Sequence, residues 1–163
     1  MALPAIEERV LVAGIGEYAV SDDPAAALVA YGLGSCVALA AWDPFARLGG
    51  LAHFMLPLGG PVDPASPVKY VEGGFETFLA AFQRTGGVST RTVFKVVGGA
   101  ATLPTSPGLA IGRRNGEALL AALERAGLRV AARELGGAVG RTVQLHVGSG
   151  RLLVRSVSSS REL

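Results

Sequence analysis

From Pro24 to Trp42 the chain carries no charge, a run of 19 positions closed off by Asp22–Asp23 on one side and Asp43–Pro44 on the other. A bilayer span needs roughly 20 apolar residues, so the run is either a membrane segment or the middle of a core. Gly32, Gly34 and Ser35 interrupt it, and alanine fills much of the remainder. Two buried strands joined at a glycine turn fit that pattern better than one long helix. The run predicts a strand over 27–31, a turn at Gly32–Leu33–Gly34–Ser35 and a strand over 36–42, with no membrane insertion.

The remaining sequence is punctuated in the same way. Glycine supplies 23 of 163 residues, about twice its usual share, and without a collagen period this calls for many tight turns. Residues 9–13 read as a strand ended by Gly14 and Gly16, and 48–56 as a strand stopped by Pro57. Residues 57–67 carry four prolines and form a loop. Residues 68–84 have helical spacing, with Tyr70, Phe75, Phe78, Leu79 and Phe82 on one face and Gly86–Gly87 as the stop. A strand over 91–97 runs into Gly98–Gly99. Asn115 is placed to cap a helix reaching about 126, with Leu119, Leu120 and Leu123 inward, Glu117 in its first turn and Gly127 ending it. Strands over 128–133, 142–147 and 152–157 complete the chain. Many strands and about two helices, out of strict alternation, predict an α+β fold with helices packed on a mixed or antiparallel sheet. The length fits a single domain, 1–163.

Several kinds of chemistry are excluded early. Cys36 is the only cysteine, so there is no internal disulfide and no cysteine-rich zinc site. His53 and His146 are the only histidines, which argues against a histidine-rich metal site, and no metal is expected. Glu7, Glu8 and Arg9 break the apolar core that a signal peptide needs, so the chain is read as cytoplasmic. Residues 1–110 hold six basic and nine acidic groups, and residues 111–163 hold nine and four. The later part is either a solvated basic surface or one that grips acidic partners. No basic cluster with interleaved aromatics supports nucleic-acid binding. Gly14–Ile15–Gly16–Glu17–Tyr18–Ala19 matches a dinucleotide fingerprint formally, but no helix follows to hold a pyrophosphate, and a turn is the better reading. Gly98–Gly99–Ala100–Ala101 lacks the Lys-Ser/Thr of a phosphate loop and also reads as a turn.

Cys36 follows Gly34–Ser35 directly, where backbone amides can stabilise a thiolate or an oxyanion. A lone cysteine in an apolar run also serves as a small buried hydrophobe. If Asp43–Ala46 is a four-residue hairpin loop, Trp42 pairs with Arg47 and Cys36 falls opposite His53. Cross-strand partners have Cβ atoms about 4.5–5.5 Å apart, within reach of a thiol–imidazole contact. A slip of one residue would turn His53 to the other face. His53 has a plainer reading as a strand histidine bonded to a backbone carbonyl. His146 alternates with Val143, Leu145 and Val147 so as to point outward, and no chemistry is expected of it.

Six ordered motifs resemble those of the CheD family, the receptor glutamine deamidases of chemotaxis. They are Leu33–Gly34–Ser35–Cys36–Val37, Trp42–Asp43–Pro44, residues 49–57 (GGLAHFMLP), Lys95–Val96–Val97–Gly98–Gly99–Ala100, Ile111–Gly112–Arg113–Arg114–Asn115, and residues 136–141 (GGAVGR). The resemblance covers about 9–157. It implies a layered α/β/β/α sandwich related to the catalytic domain of cytotoxic necrotizing factor. It also implies a cysteine hydrolase without a cofactor, with Cys36 as nucleophile, His53 as general base, and Gly34 and Ser35 supporting the oxyanion. Gly98, Gly99, Asn115, Gly136 and Gly137 belong to the motifs and are read as structural. The implied partners are methyl-accepting chemotaxis receptors, as substrate, and the chemotaxis phosphatase CheC. The chain is expected to act as a monomer.

The resemblance departs at Ala30, where the family usually has a threonine as third catalytic member. An alanine cannot orient an imidazole, so a backbone carbonyl or the Ser35 hydroxyl must take over, or turnover falls. Two functions therefore stand side by side at this point. One is a protein-glutamine glutaminase, and the other is an adaptor that binds receptors and CheC with little or no catalysis.

Overall fold

The computed structural model describes residues 7–103 and 110–163. Its elements run β1 (Arg9–Val12), β2 (Tyr18–Ser21), β3 (Ala26–Leu33), β4 (Val37–Asp43), β5 (Leu48–Phe54), α1 (Val71–Arg84), β6 (Val93–Gly98), α2 (Ile111–Arg125), β7 (Val130–Leu135), β8 (Arg141–His146), β9 (Leu152–Arg155) and β10 (Ser160–Glu162). The strands form two five-stranded sheets, β1-β3-β8-β9-β10 and β2-β5-β4-β6-β7. Both are mixed and largely antiparallel, with one parallel pair each, β1 with β3 and β6 with β7. The α+β expectation with two main helices holds.

The uncharged run becomes β3 and β4, one in each sheet. Strand β4 is buried on both faces, because side chains alternate along a strand and both sides here meet a core. Val37, Leu39 and Ala41 face the helices together with Phe54, Phe75, Phe78, Phe82, Leu119 and Leu123. Cys36, Ala38 and Ala40 face the other sheet, joining Leu28, Ala30, Leu33, Leu51, Val143 and Leu145. No solvated face is left for a charge, which accounts for the composition. Both helices cover the outer face of the second sheet. On the first sheet Val10 and Val12 of β1 remain about half exposed, and among the described residues no helix lies over that side. Three of the four expected layers are thus present. No helix among the described residues is long and apolar enough to cross a membrane.

Strands β2 and β10 are absent from the sequence reading. Each lies at the edge of its sheet, is only three or four residues long, and shows no alternation of burial. The β4–β5 register also differs from the expected one. Trp42 pairs with Gly49 and Asp43 with Leu48, so His53 sits opposite Ala38 and Cys36 does not fall opposite His53. The reason is Asp43, which stays in the strand while Arg47 closes the turn at φ 51°. A shift of two residues preserves the face, so Cys36 and His53 still point into the same layer.

Asp43 is inaccessible to solvent. Its Oδ1 accepts the amides of Phe45 and Ala46 at 3.0 and 3.1 Å, and its Oδ2 accepts that of Val88 at 2.9 Å. Arg91 Nε donates to both oxygens at 2.9 Å. Burial alone would raise this carboxyl's pKa, but Arg91 and the three amides outweigh it and hold the value at about 2. The unfolded chain titrates near ~3.9, so the stabilisation is complete above about pH 4 and fades as the pH falls toward 2. Replacing Asp43 by alanine strands Arg91 and three amides together. A loss of about 3 kcal/mol or more at pH 7 is expected, measured by urea unfolding.

Candidate active site

The chain passes from the first sheet to the second at Gly34–Ser35–Cys36, between β3 and β4. Three successive carbonyls of this crossover are each held from outside. Gly34 O accepts the Ala100 amide at 2.8 Å, Ser35 O accepts Asn115 Nδ2 at 2.9 Å, and Cys36 O accepts the Gly99 amide at 2.8 Å. Gly98 makes this approach possible. Its φ is +119°, and a Cβ there would lie 2.3 Å from Cys36 O. Gly98→Ala is expected to cost about 1–3 kcal/mol through strain and collision. It should also change the alkylation rate of the Cys36 thiol, because the clash falls on that residue's own carbonyl.

His53 lies on β5 and is buried. Its Nδ1 is 3.1 Å from the carbonyl of Ala13, just past β1. A carbonyl only accepts, so Nδ1 carries the proton and the lone pair of the neutral ring is on Nε2. That Nε2 is buried and has no hydrogen-bond partner among the described residues, so the Cys36 thiol does not donate to it in this conformation. The histidine backbone is fixed as well. His53 N donates to Glu17 O at 3.0 Å, and Gly16 N donates to His53 O at 2.8 Å. The Gly14–Glu17 segment is therefore a turn, as its sequence suggests, and it wraps around the histidine.

Burial pushes the His53 pKa below its ordinary value, against the opposing pull of the Ala13 carbonyl and the Glu17 charge. Burial pushes the Cys36 thiol above its ordinary value, and the residue's own amide beside the sulfur works the other way. The resting pair is a thiol and a neutral imidazole rather than a thiolate and an imidazolium. His53 is opposite Ala38 of β4, and Cys36 lies two residues before Ala38, just ahead of the strand. Residues at that diagonal offset are about 7–8 Å apart, a spacing that side chains shorten.

The other expected residues gather around this crossover. A cavity of ≈ 530 Å³ is lined by Ser35, Gly99, Gly136 and Gly137 together with Gly112 and Arg113 of the first turn of α2. Gly98, Gly99, Gly136 and Gly137 all have positive φ, as turn glycines do. Asn115 does not cap α2. The helix begins four residues earlier, after Ala110, and no side chain caps it. Gly112 lets that early start lie against the Gly99–Ala100 backbone, since a Cβ on it would come within 2.5 Å of Ala100 O. Asn115 is consequently inside the helix and fully buried, with Nδ2 donating to both Ser35 O and Met55 O at 2.9 Å. Glu117 is likewise beyond the first turn and pairs with Arg113 at 3.0 Å.

Ala30 lies in the same inter-sheet layer, on β3 opposite Val143, and is inaccessible. His146 is partly exposed and pairs with Glu8 at 3.0 Å. No group of acids, histidines and cysteines among the described residues is arranged to hold a metal. Part of the basic excess is neutralised locally, with Arg141 and Arg161 on Glu134 and Arg151 on Glu162.

Comparison with known proteins decides the family. The model of the family described as CheD, chemotactic sensory transduction, matches residues 55–156. A Symbiobacterium thermophilum protein called a probable chemoreceptor glutamine deamidase CheD is 43% identical, over 93% of this chain and 94% of its own. The chain belongs to the CheD family. The chemoreceptor glutamine deamidase CheD of Thermotoga maritima is 40% identical over 93% of this chain and 95% of its own. A probable CheD deamidase of Archaeoglobus fulgidus is 42% identical over 89% and 92%. The family-model match starts beyond both Cys36 and His53, whereas the alignments with CheD relatives extend over most of the chain. The plainer reading of His53, a histidine bonded to a backbone carbonyl, holds, although no side-chain pattern announces that the carbonyl is Ala13's. Sequence reasoning missed what Asn115 touches, although the residue stood in a CheD-like motif.

Proposed function

We propose that this CheD-family protein deamidates glutamine side chains of chemotaxis receptors through Cys36 and His53. The reading is supported by the names of the relatives. The observation that carries it is the buried lone pair on His53 Nε2, facing the same layer as the only cysteine. A buried acceptor without a partner is costly, and it persists where chemistry uses it.

In this reading His53 Nε2 takes the thiol proton as the Cys36 sulfur attacks the glutamine Cδ. The carbonyl oxygen gathers the negative charge, and the amides of Ser35 and Cys36 receive it. The C–N bond then breaks, His53 passes its proton to the departing nitrogen, and ammonia leaves a thioester on Cys36. Water, deprotonated by His53, attacks that thioester. The sulfur leaves, recovers its proton, and glutamate remains where glutamine stood. No cofactor enters any step. The Ala13 carbonyl fixes the tautomer and takes the orienting role that Ala30 cannot fill. Substrate binding closes the remaining gap between thiol and imidazole, as catalytic hydrogen bonds often tighten only in the complex.

One observation favours the second reading, an adaptor that binds receptors and the CheC phosphatase. Cys36 is buried and makes no thiol–imidazole hydrogen bond in the resting fold. Ammonia release from a receptor cytoplasmic fragment separates the two. The deamidase reading expects ammonia in step with new glutamates, and the adaptor reading expects a stable complex without ammonia.

A further inference from the structure

The crossover that carries Cys36 is pinned at three consecutive carbonyls, and two of the three donors are backbone amides of Gly99 and Ala100. The third is a side chain, Asn115 Nδ2, reaching from the middle of α2. Each peptide group is planar with its N–H opposite its C=O, so whatever holds Ser35 O also sets the direction of the Cys36 N–H. That amide is the one lying beside the Cys36 sulfur. The second proton of the same Nδ2 goes to Met55 O, two residues beyond His53. Both neighbours are acceptors, so only the amine end of the side chain can face them. Asn115 Oδ1 is left buried with no partner among the described residues, so the side chain gives up one hydrogen bond while making these two.

We propose that Asn115 is a positioning residue that holds the Cys36 crossover and the His53 strand at one fixed separation. It acts by clamping Ser35 O and Met55 O with the two protons of a single amide. A misplacement of about 1 Å at a reacting pair costs on the order of 10²-fold in rate, and Asn115 is the only described side chain bonded to both halves of the site. The inference rests on the Cys36–His53 reading above.

The test uses Asn115→Ala, with Asn115→Ser as a second variant that keeps one short donor and most of the fold. Leu123→Ala serves as the control. It lies two turns further along α2, and it removes core packing without removing a hydrogen bond to Ser35 or Met55. With a receptor fragment, kcat should fall about 10–100-fold for Asn115→Ala, and less for Asn115→Ser, while KM stays within about 2-fold. Leu123→Ala, assayed below its melting point, should keep its kcat. Iodoacetamide alkylation of Cys36 supplies a readout that needs no receptor. His53→Ala should slow alkylation, and adding Asn115→Ser to it should slow it no further, because the clamp acts through the pairing. Unchanged kcat in folded Asn115 variants, or equal losses in Leu123→Ala, would overturn the proposal. So would additive losses in the alkylation cycle. If the unaltered protein releases no ammonia, the deamidase reading fails alone, and the alkylation cycle still decides the role of Asn115.

Discussion

Replacing Cys36 by alanine is expected to remove receptor deamidation altogether, a loss of at least about 10⁴-fold, while the protein stays folded. The sulfur is the only nucleophile the mechanism contains, so no acyl intermediate can form without it. The fold does not depend on it to the same degree. Cys36 sits in the layer between the sheets as a small side chain, and trimming it to alanine costs about 1 kcal/mol or less. Rate and stability should therefore separate cleanly, with the melting temperature moving by only a few degrees. Adding His53→Ala to Cys36→Ala should cost nothing further, since residues that act as one unit are not additive.

The second large effect concerns His53. His53→Ala is expected to lower kcat about 10²–10⁴-fold, the usual span for a general acid–base group. In the unaltered protein kcat/KM should fall on the acid side with a midpoint below the ordinary histidine value near ~6.5, because burial keeps the folded imidazole neutral. The sign for stability follows from the same shift. The unfolded chain binds a proton near ~6.5 while the folded chain resists it to lower pH, so stability drops as the pH falls through that window. An alkaline loss is expected only above the ordinary thiol value, because burial raises the Cys36 pKa and the thiol proton is the one His53 hands to the departing nitrogen. A pH–rate profile with its acid limb at or above the ordinary histidine value would contradict the buried-imidazole account.

The sequence carried the core plainly. An uncharged run bounded by aspartates and broken by glycines reads as two buried strands, and β3 and β4 are those strands, one in each sheet. The register was less legible. Asp43 looked like the first residue of a turn, yet its carboxylate has Arg91 and three amides to satisfy, and this keeps it in the strand and moves His53 two places along. Face was conserved where opposition was not, which is why Cys36 and His53 still share a layer. Asn115 illustrates the limit of local propensity. Asparagine favours helix starts, but the Gly112 contact with Gly99 and Ala100 lets α2 begin sooner, and the amide is spent on two distant carbonyls. A backbone carbonyl on His53 was legible, but not which one, since every residue has a carbonyl and Ala13 is distinguished only by where β1 ends.

The proposed function is conversion of receptor glutamine to glutamate at a Cys36–His53 pair. The most direct measurement is site-resolved mass spectrometry of a receptor cytoplasmic fragment after incubation with the reduced protein, beside the same incubation with Cys36→Ala. Amide-to-acid conversion is expected at a few discrete glutamines with the unaltered protein and at none with the variant. A fragment that binds the reduced protein yet keeps every glutamine, or conversion that persists in Cys36→Ala, would contradict it.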